Sequence, residues 1–348
     1  MLLVYAAALP VASVLLYLEF GHPQLIGAPA PPQPLAAIDA ADAGADGTLM
    51  QLEAHVAASP GDARAWVMLA RLRMQRDQFA LAALLKPDRE DTNVTPEEIA
   101  DAARSQGMSA VVRYNGNRAV VRAVLRAGAP VIAEQWIEVE GRGEMGHYRV
   151  VTGYDDADRV FQVQDSYYGA NRNLPYDDFE RMWRPFVGAF VVIYDPAQEM
   201  AVLAALGADE DGASTWRRAL GDCESWAARE PGSAWAHFAC GEILGRLDEH
   251  AEAVRRFERA IEIGLPMRAF WYQFGYYRSL IAVGAYERAI AHADATLVTM
   301  NGENLEESRL WRGIALRGLG REEEARVEFL TALRFNPRFR PALEALEG

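Results

Sequence analysis

Cysteine is scarce in this chain. There are two, Cys223 and Cys240, and none stands earlier. Two are too few for a disulfide framework, and their spacing matches no metal site. Both fall in helical sequence and read as core thiols rather than reactive ones. Basic charge is short as well. Lys and Arg number 35 against 49 Asp and Glu, a net charge of -14. Phosphate binding needs a basic surface, so nucleic acid is excluded as the main partner. No metal and no cofactor is implied. No Lys or Arg precedes Arg64. That removes the basic start of a usual cleaved signal peptide and leaves the positive-inside rule nothing to read.

What is present predicts several units. A length of 348 residues is too great for one small domain, and 51% hydrophobic content supports a sizeable core. Residues 2–18 carry no charge, near the lower limit of roughly 17–25 residues for a spanning helix. Pro10 is tolerated in such a helix. A membrane helix is expected over 1–20, the alternatives being a buried soluble helix or a truncated start. Residues 21–47 read as an extended Pro/Ala linker. From Thr48 the pattern turns helical, with Leu49, Leu52, His55 and Val56 on one face. Trp66, Leu69, Ala70 and Ala82 follow at a tetratricopeptide spacing. A helical hairpin, a partial repeat, is therefore expected over 48–82. Thr95 then caps a helix whose first residue is Pro96, and 118–127 is a further short helix.

The stretch 129–194 reads as four strands, at 129–139, 147–154, 159–165 and 187–194. Each is rich in Val, Ile, Tyr and Phe and bounded by Gly, Asp or Pro. The acidic turn Asp155, Asp156, Ala157, Asp158 makes the middle two a hairpin. It carries His147 at one end of one strand and Asp165 at the far end of the next. A loop of three or five residues lets the two face each other. A loop of four puts them on opposite faces, because side chains alternate. A base oriented by an acid is two thirds of a nucleophilic triad.

The C-terminal part repeats. Ala253, Ala289 and Ala325 recur every 36 residues, as do Ala260, Thr296 and Ala332, then Phe257, Ala293 and Phe329, then Gly241, Tyr277 and Gly313. This predicts a tetratricopeptide array over 201–348. Within it, Trp271, Tyr272, Phe274, Tyr276 and Tyr277 are denser than a repeat core needs. Some of them are expected in the core and the remainder as a peptide-binding surface in the concave groove, the alternative being an interface with the sheet.

Two resemblances follow from these residues. The hydrophobic start, the Pro-rich linker and A-S-P-G-D-A-R-A-W-V-M-L-A-R-L resemble the cytochrome c maturation protein that holds apocytochromes, over about 1–76. That resemblance implies a bacterial inner membrane anchor with the soluble part in the periplasm. From about residue 77 the chain resembles the papain-like cysteine peptidases related to bacteriocin-leader (double-glycine) peptidases. The carrying blocks are L-L-K-P-D-x-E-D-x-N-V-T-P, A-G-A-P-V-I-A-E, M-G-H-Y-R-V-V-T-G-Y-D-D and V-F-Q-V-Q-D-S-Y, in that order. It implies His147 as base and Asp165 as the residue that orients it. It also implies a Cys-Gly pair upstream of Ala83, with a Gln shortly before it; no cysteine precedes His147 here. The abrupt change near Asp77 fits a junction between two reading frames.

The expected fold is α+β: a truncated papain-like antiparallel sheet domain at 83–197, an all-α tetratricopeptide solenoid after it, and an N-terminal membrane helix. Residues 64–82, led by Trp66, Leu69, Ala70 and Phe79, are expected to cover the sheet where the central helix is missing. The expected function is a membrane-anchored protein- or peptide-binding scaffold with a catalytically incomplete peptidase-like domain. The alternatives are an active cysteine peptidase on peptide leaders and a cytochrome c maturation chaperone-like module.

Overall fold

The computed structural model describes residues 44–58, 94–140, 143–207, 213–299 and 305–347. The expected membrane helix, most of the linker, and Trp66, Leu69, Ala70, Phe79 and Ala82 lie outside the described residues. Among the described residues no helix is long and apolar enough to cross a membrane. The first element is α1 (Gly44–Ala58), which starts before the pattern at Thr48 and buries Leu52.

The sheet has six strands: β1 (Ser109–Arg113), β2 (Val131–Val139), β3 (Gly143–Asp155), β4 (Val160–Asp165), β5 (Gly169–Pro175) and β6 (Phe190–Tyr194). Their spatial order is β1-β6-β2-β3-β4-β5, antiparallel throughout. Both faces are covered, which is why β6 reads F-V-V-I-Y with every residue buried. On one face α2 (Pro96–Ser105) packs Ile99, Ala100 and Ala103 on Ile132, Val150 and Val191. On the other, α3 (Arg118–Arg126) and α4 (Tyr176–Trp183) bring Val121, Val124, Phe179 and Trp183 to Val131, Val151 and Val163.

The helix starts follow their caps. The Thr95 hydroxyl accepts from the Glu98 amide at 3.2 Å while the Thr95 amide donates to Glu98 Oε2 at 2.8 Å. The Asn117 side chain accepts from the amides of Ala119 and Val120.

The four expected strands are β2, β3, β4 and β6; β1 and β5 are additional. β5, G-A-N-R-N-L-P, has no β-branched or aromatic residue and is almost wholly exposed. It is a strand because β4 offers its edge, with Phe161 opposite Leu174 and Val163 opposite Arg172. The helices α4 and α5 (Glu199–Leu206) were likewise not expected.

The hairpin register differs from both expected loops. Asp155 pairs with Val160, leaving a loop of four residues, 156–159. The register then shifts between Val151 and Gly153, so Thr152 has no cross-strand partner. That bulge inserts one residue and reverses the facing of everything beyond it. Val151 pairs with Val163 and Val150 with Gln164, and His147 and Asp165 return to one face.

A helical region follows: α6 (Ala213–Arg229), α7 (Ala234–Arg246), α8 (His250–Ile263), α9 (Gly275–Ala282), α10 (Tyr286–Val298), α11 (Glu306–Gly318), α12 (Glu322–Phe335) and α13 (Arg340–Glu347). α8, α10 and α12 start 36 residues apart, and α7 packs on α8 as α11 packs on α12. Ala253, Ala289 and Ala325 are fully buried, as are Ala260, Thr296 and Ala332.

The remaining repeat pair alternates in size. A Cβ on Gly241 meets the Phe257 ring at 2.9 Å, so glycine there admits a phenylalanine from the next helix. Gly313 and Phe329 repeat this arrangement. In the middle unit the bulk changes sides, with Tyr277 at the glycine position and Ala293 at the phenylalanine position, both fully buried. The Tyr277 hydroxyl donates to Thr296 Oγ1 at 3.0 Å. Thr296 stands where the other units have alanine, so the buried phenol keeps a partner.

Cys223 and Cys240 are not free thiols. They form a disulfide between α6 and α7, buried among Ala219, Ala236 and Ile243. This corrects the reading of both as reduced core cysteines. Adjacent helices bring their Cα atoms to 5.6 Å, inside the range a disulfide needs, a distance not visible in a separation of 17 residues.

Sheet and helices share an aromatic junction. Trp136 of β2 meets Trp235 at 4.6 Å and Tyr272 at 6.0 Å between ring centres, and Phe186 meets Tyr272 at 6.1 Å. Gly146 leaves room for Tyr272, since a Cβ there stands 3.0 Å from its ring. Gln273 Nε2 donates to the Pro185 carbonyl at 2.9 Å, and the Arg246 guanidinium lies 3.8 Å over the Tyr114 ring.

Candidate functional site

Alternation along β3 sends Met145, His147, Arg149 and Val151 to one face. Gln135 of β2 pairs directly with His147. Asp165 closes β4 one step beyond the Val150–Gln164 pair, which sets it across from Arg149 and diagonal to His147. Four polar side chains thus meet on an otherwise apolar face.

All four are buried. His147 Nε2 lies 3.2 Å from Asp165 Oδ1. The same oxygen accepts from the backbone amides of Tyr167 at 2.7 Å and Tyr168 at 2.9 Å. Arg149 Nε donates to the other oxygen, and Arg149 Nη1 donates to Gln135 Oε1 at 2.8 Å. Gln135 Nε2 donates to the Phe179 carbonyl at 2.9 Å, tying the group to α4. The Tyr167 ring stands edge-on to His147 at 5.1 Å, and Tyr168 lies beside the Arg149 guanidinium.

The charges of this group follow. Burial by itself raises the Asp165 carboxyl, but His147, Arg149 and the backbone amide of Tyr168 outweigh it and hold it well below the usual carboxylate range. Burial lowers His147, Arg149 lowers it further, and Asp165 offsets them in part. Near neutral pH the pair is an aspartate and a neutral imidazole. An ionised carboxylate only accepts hydrogen bonds, so the ring proton sits on Nε2 and Nδ1 carries the lone pair. Nδ1 is buried and has no hydrogen-bond partner among the described residues. The arrangement is a base with one nitrogen fixed by an acid and the other free to take a proton. Among the described residues no group of three or more His, Cys, Asp or Glu side chains is placed to hold a metal ion.

Sequence reasoning named His147 and Asp165, which the structure brings together. It missed Arg149 and Gln135. Arg149 is two residues from His147, and a charged residue at that alternate position of an apolar strand was the available signal.

The aromatic residues named for peptide binding divide. Tyr276 and Tyr277 are buried in the helical core, the first among Phe257, Phe270 and His292. Tyr272 joins the junction with Trp136. Trp271, whose Nε1 donates to Thr299 Oγ1 at 3.0 Å, and Phe274 are half-buried.

On the opposite face, burial and the nearby Glu97 push the buried Glu134 carboxyl well above its usual range, with Tyr148 offsetting them in part. Sequence reasoning did not single it out.

Among solved structures, "MamA RS-1 ArsTM double mutant" is similar at 18% identity, with a TM-score of 0.32, over 36% of this chain and 67% of that chain. A likeness that slight carries no argument. No curated protein matches. The model of the Peptidase_C39 like family matches residues 73–191. That range holds β1 to β5, the first two residues of β6 and the His147–Asp165 pair, so over those residues the sheet domain is similar to the Peptidase_C39 like family.

Proposed function

We propose that the protein is a peptide- or protein-binding scaffold whose peptidase-like domain keeps its oriented base and lacks its nucleophile. One observation carries this reading: no cysteine precedes His147, and the two that follow are joined to each other. The His147 ring meets Asp165 and Tyr167, whereas the two cysteines are buried with Ala219, Ala236 and Ile243 in the helical region. A thiolate is the attacking species in this chemistry, and a disulfide sulfur is not one.

The helical region is a tetratricopeptide solenoid in this reading, supported by the 36-residue period of its helices and buried alanines. Its groove takes the extended peptide, with Trp271 and Phe274 supplying partly exposed aromatic surface. The chain is tethered to a bacterial inner membrane by residues 1–20, with the rest in the periplasm. The disulfide supports that placement, since such bonds persist in oxidising compartments.

Full-length protein purified without reductant, treated with a thiol-directed peptidase probe, is expected to show no labelling. After reduction, any labelling falls on Cys223 or Cys240 and is unchanged by His147→Ala. Labelling that His147→Ala abolishes overturns the reading. The free Nδ1 of His147 favours the enzyme alternative, which needs a thiol delivered by another chain.

A further inference from the structure

A cleft of about 750 Å³ opens where the sheet domain meets the first helix of the helical region. Neither His147 nor Asp165 lines it. One wall is the rim of the sheet, from Arg113 to Asn117, with Arg184, Val187 and Gly188. The other is α6, with Arg218, Trp226 and Arg229. The volume is that of small-ligand sites, roughly 300–1,000 Å³, which favour junctions between domains.

The charge in this cleft opposes that of the chain. Four guanidiniums line it, from Arg113, Arg184, Arg218 and Arg229, against the carboxylates of Glu180 and Asp222. Glu180 is already held by both ends, with Arg118 Nε at 3.0 Å and Nη2 at 2.9 Å. Arg113 donates to the Val112 carbonyl and Arg218 to the Thr215 hydroxyl. Arg184 and Arg229 are exposed, and among the described residues neither has a carboxylate partner. In a chain of net charge -14, a cleft with a surplus of arginine is against the trend. An apolar surface adjoins them: the Arg184 guanidinium lies 5.7 Å over the half-buried Trp226 ring, and Trp183, Phe190 and Ile243 are among the other lining residues.

We propose that this cleft binds a small organic anion. A carboxylate or phosphate is held by Arg184 and Arg229, and an apolar or aromatic group beside it lies against Trp226. Guanidinium forks match the oxygens of planar or tetrahedral oxyanions through paired, charge-assisted hydrogen bonds. The indole offers a flat apolar face at little entropic cost. The site is independent of the peptidase-like reading.

Calorimetry and tryptophan fluorescence on the oxidised full chain test it with four probes. They are N-acetyl-alanyl-phenylalanine with a free carboxylate, the same dipeptide as its amide, AMP, and inorganic phosphate. The acid or AMP is expected to bind, about tenfold more weakly in Arg184→Gln or Arg229→Gln, as the loss of a charge-assisted hydrogen bond implies. Arg217→Gln, on the same helix outside the cleft, and His147→Ala leave binding unchanged. Preference for the acid identifies a peptide C-terminus as the source, and preference for AMP a nucleotide. Because Arg184 and Arg229 are exposed, their variants are expected to melt like wild type. Arg229→Lys, which keeps the charge and loses the fork, gives an intermediate affinity. The proposal fails if neither the acid nor AMP binds at concentrations on the order of 10 mM, the weak end of specific binding. It also fails if the amide matches the acid while AMP does not bind, or if Arg184→Gln and Arg229→Gln change nothing. Phosphate binding as tightly as the organic probes means an adventitious ion only, and overturns it too.

Discussion

Asp165 is the residue on which the sheet-domain site turns. Its two oxygens receive an imidazole, a guanidinium and two backbone amides, so an ionised carboxylate is the only state that satisfies all four. Asp165→Ala leaves the Arg149 charge buried without its partner. It is expected to lower unfolding free energy in urea by about 3–5 kcal/mol, the usual cost of breaking a buried ion pair from one side. Adding Arg149→Met to that variant recovers part of the loss, because the stranded charge is gone. The buried histidines set the acid limb of stability. His292 lies among Phe270, Tyr276 and Tyr277, and burial takes it from 6.5 down to about 3. The unfolded chain therefore binds a proton below pH 6.5 that the folded chain refuses until about pH 3. Stability is present above pH 6.5 and falls as the pH drops through that window, by about 1.4 kcal/mol per unit for one such group. His147, also lowered by burial, acts with the same sign. Asp165 has a depressed carboxyl, so its contribution holds above its ordinary value of 3.8 and is lost below it. Urea titrations from pH 7 to pH 4 are expected to show this decline, with a shallower slope in His292→Phe. A flat profile in the wild type contradicts it.

At the scale of elements, the β3–β4 hairpin shows how a local irregularity decides a site. A four-residue loop alone would have placed His147 and Asp165 on opposite faces. The bulge at Thr152 adds the one residue that reverses this. The loop length was legible from the acidic turn to within one residue; the bulge had one local signal, the isolated strand glycine Gly153 beside Thr152, but a glycine alone does not say that the register shifts there. β5 was illegible for a related reason, since its residues have little strand preference and its pairing depends on an edge supplied by β4. The repeat helices were readable because their period is written in small residues. Gly313 is held to glycine by the Phe329 ring, which an added Cβ meets at 2.4 Å. Gly313→Ala is expected to destabilise the protein by about 1–3 kcal/mol through overpacking, measured by thermal and urea melts. Combining it with Phe329→Leu is expected to restore part of that loss; a single variant that melts like wild type removes the argument.

The whole molecule is joined at an aromatic seam and stapled beside it. Trp136, Trp235, Phe186 and Tyr272 belong to neither the sheet nor the helices alone, so the apolar surface of each region is completed by the other. The disulfide between α6 and α7 lies next to that seam, in a cluster that also takes in Val187 from the sheet domain. Closing a loop of 17 residues stabilises a fold by about 3 kcal/mol. Reduction, or Cys223→Ala with Cys240→Ala, is expected to lower the stability of the whole chain by that order in reductant-controlled urea melts. An unchanged melt shows that the bond constrains little.

The linear order of residues by itself determined the α+β class, the central strands, the period of the C-terminal helices, the His147–Asp165 pair and the lack of any earlier cysteine. These are local or periodic signals, carried by side-chain type at fixed spacing. Only the tertiary structure decided the register that puts imidazole and carboxylate on one face, the Arg149 contact that shifts both groups, the Gln135 contact that ties Arg149 to α4, the union of Cys223 with Cys240, and the seam that Tyr272 joins. Each of those depends on a distance between segments far apart in the chain, and packing sets such distances.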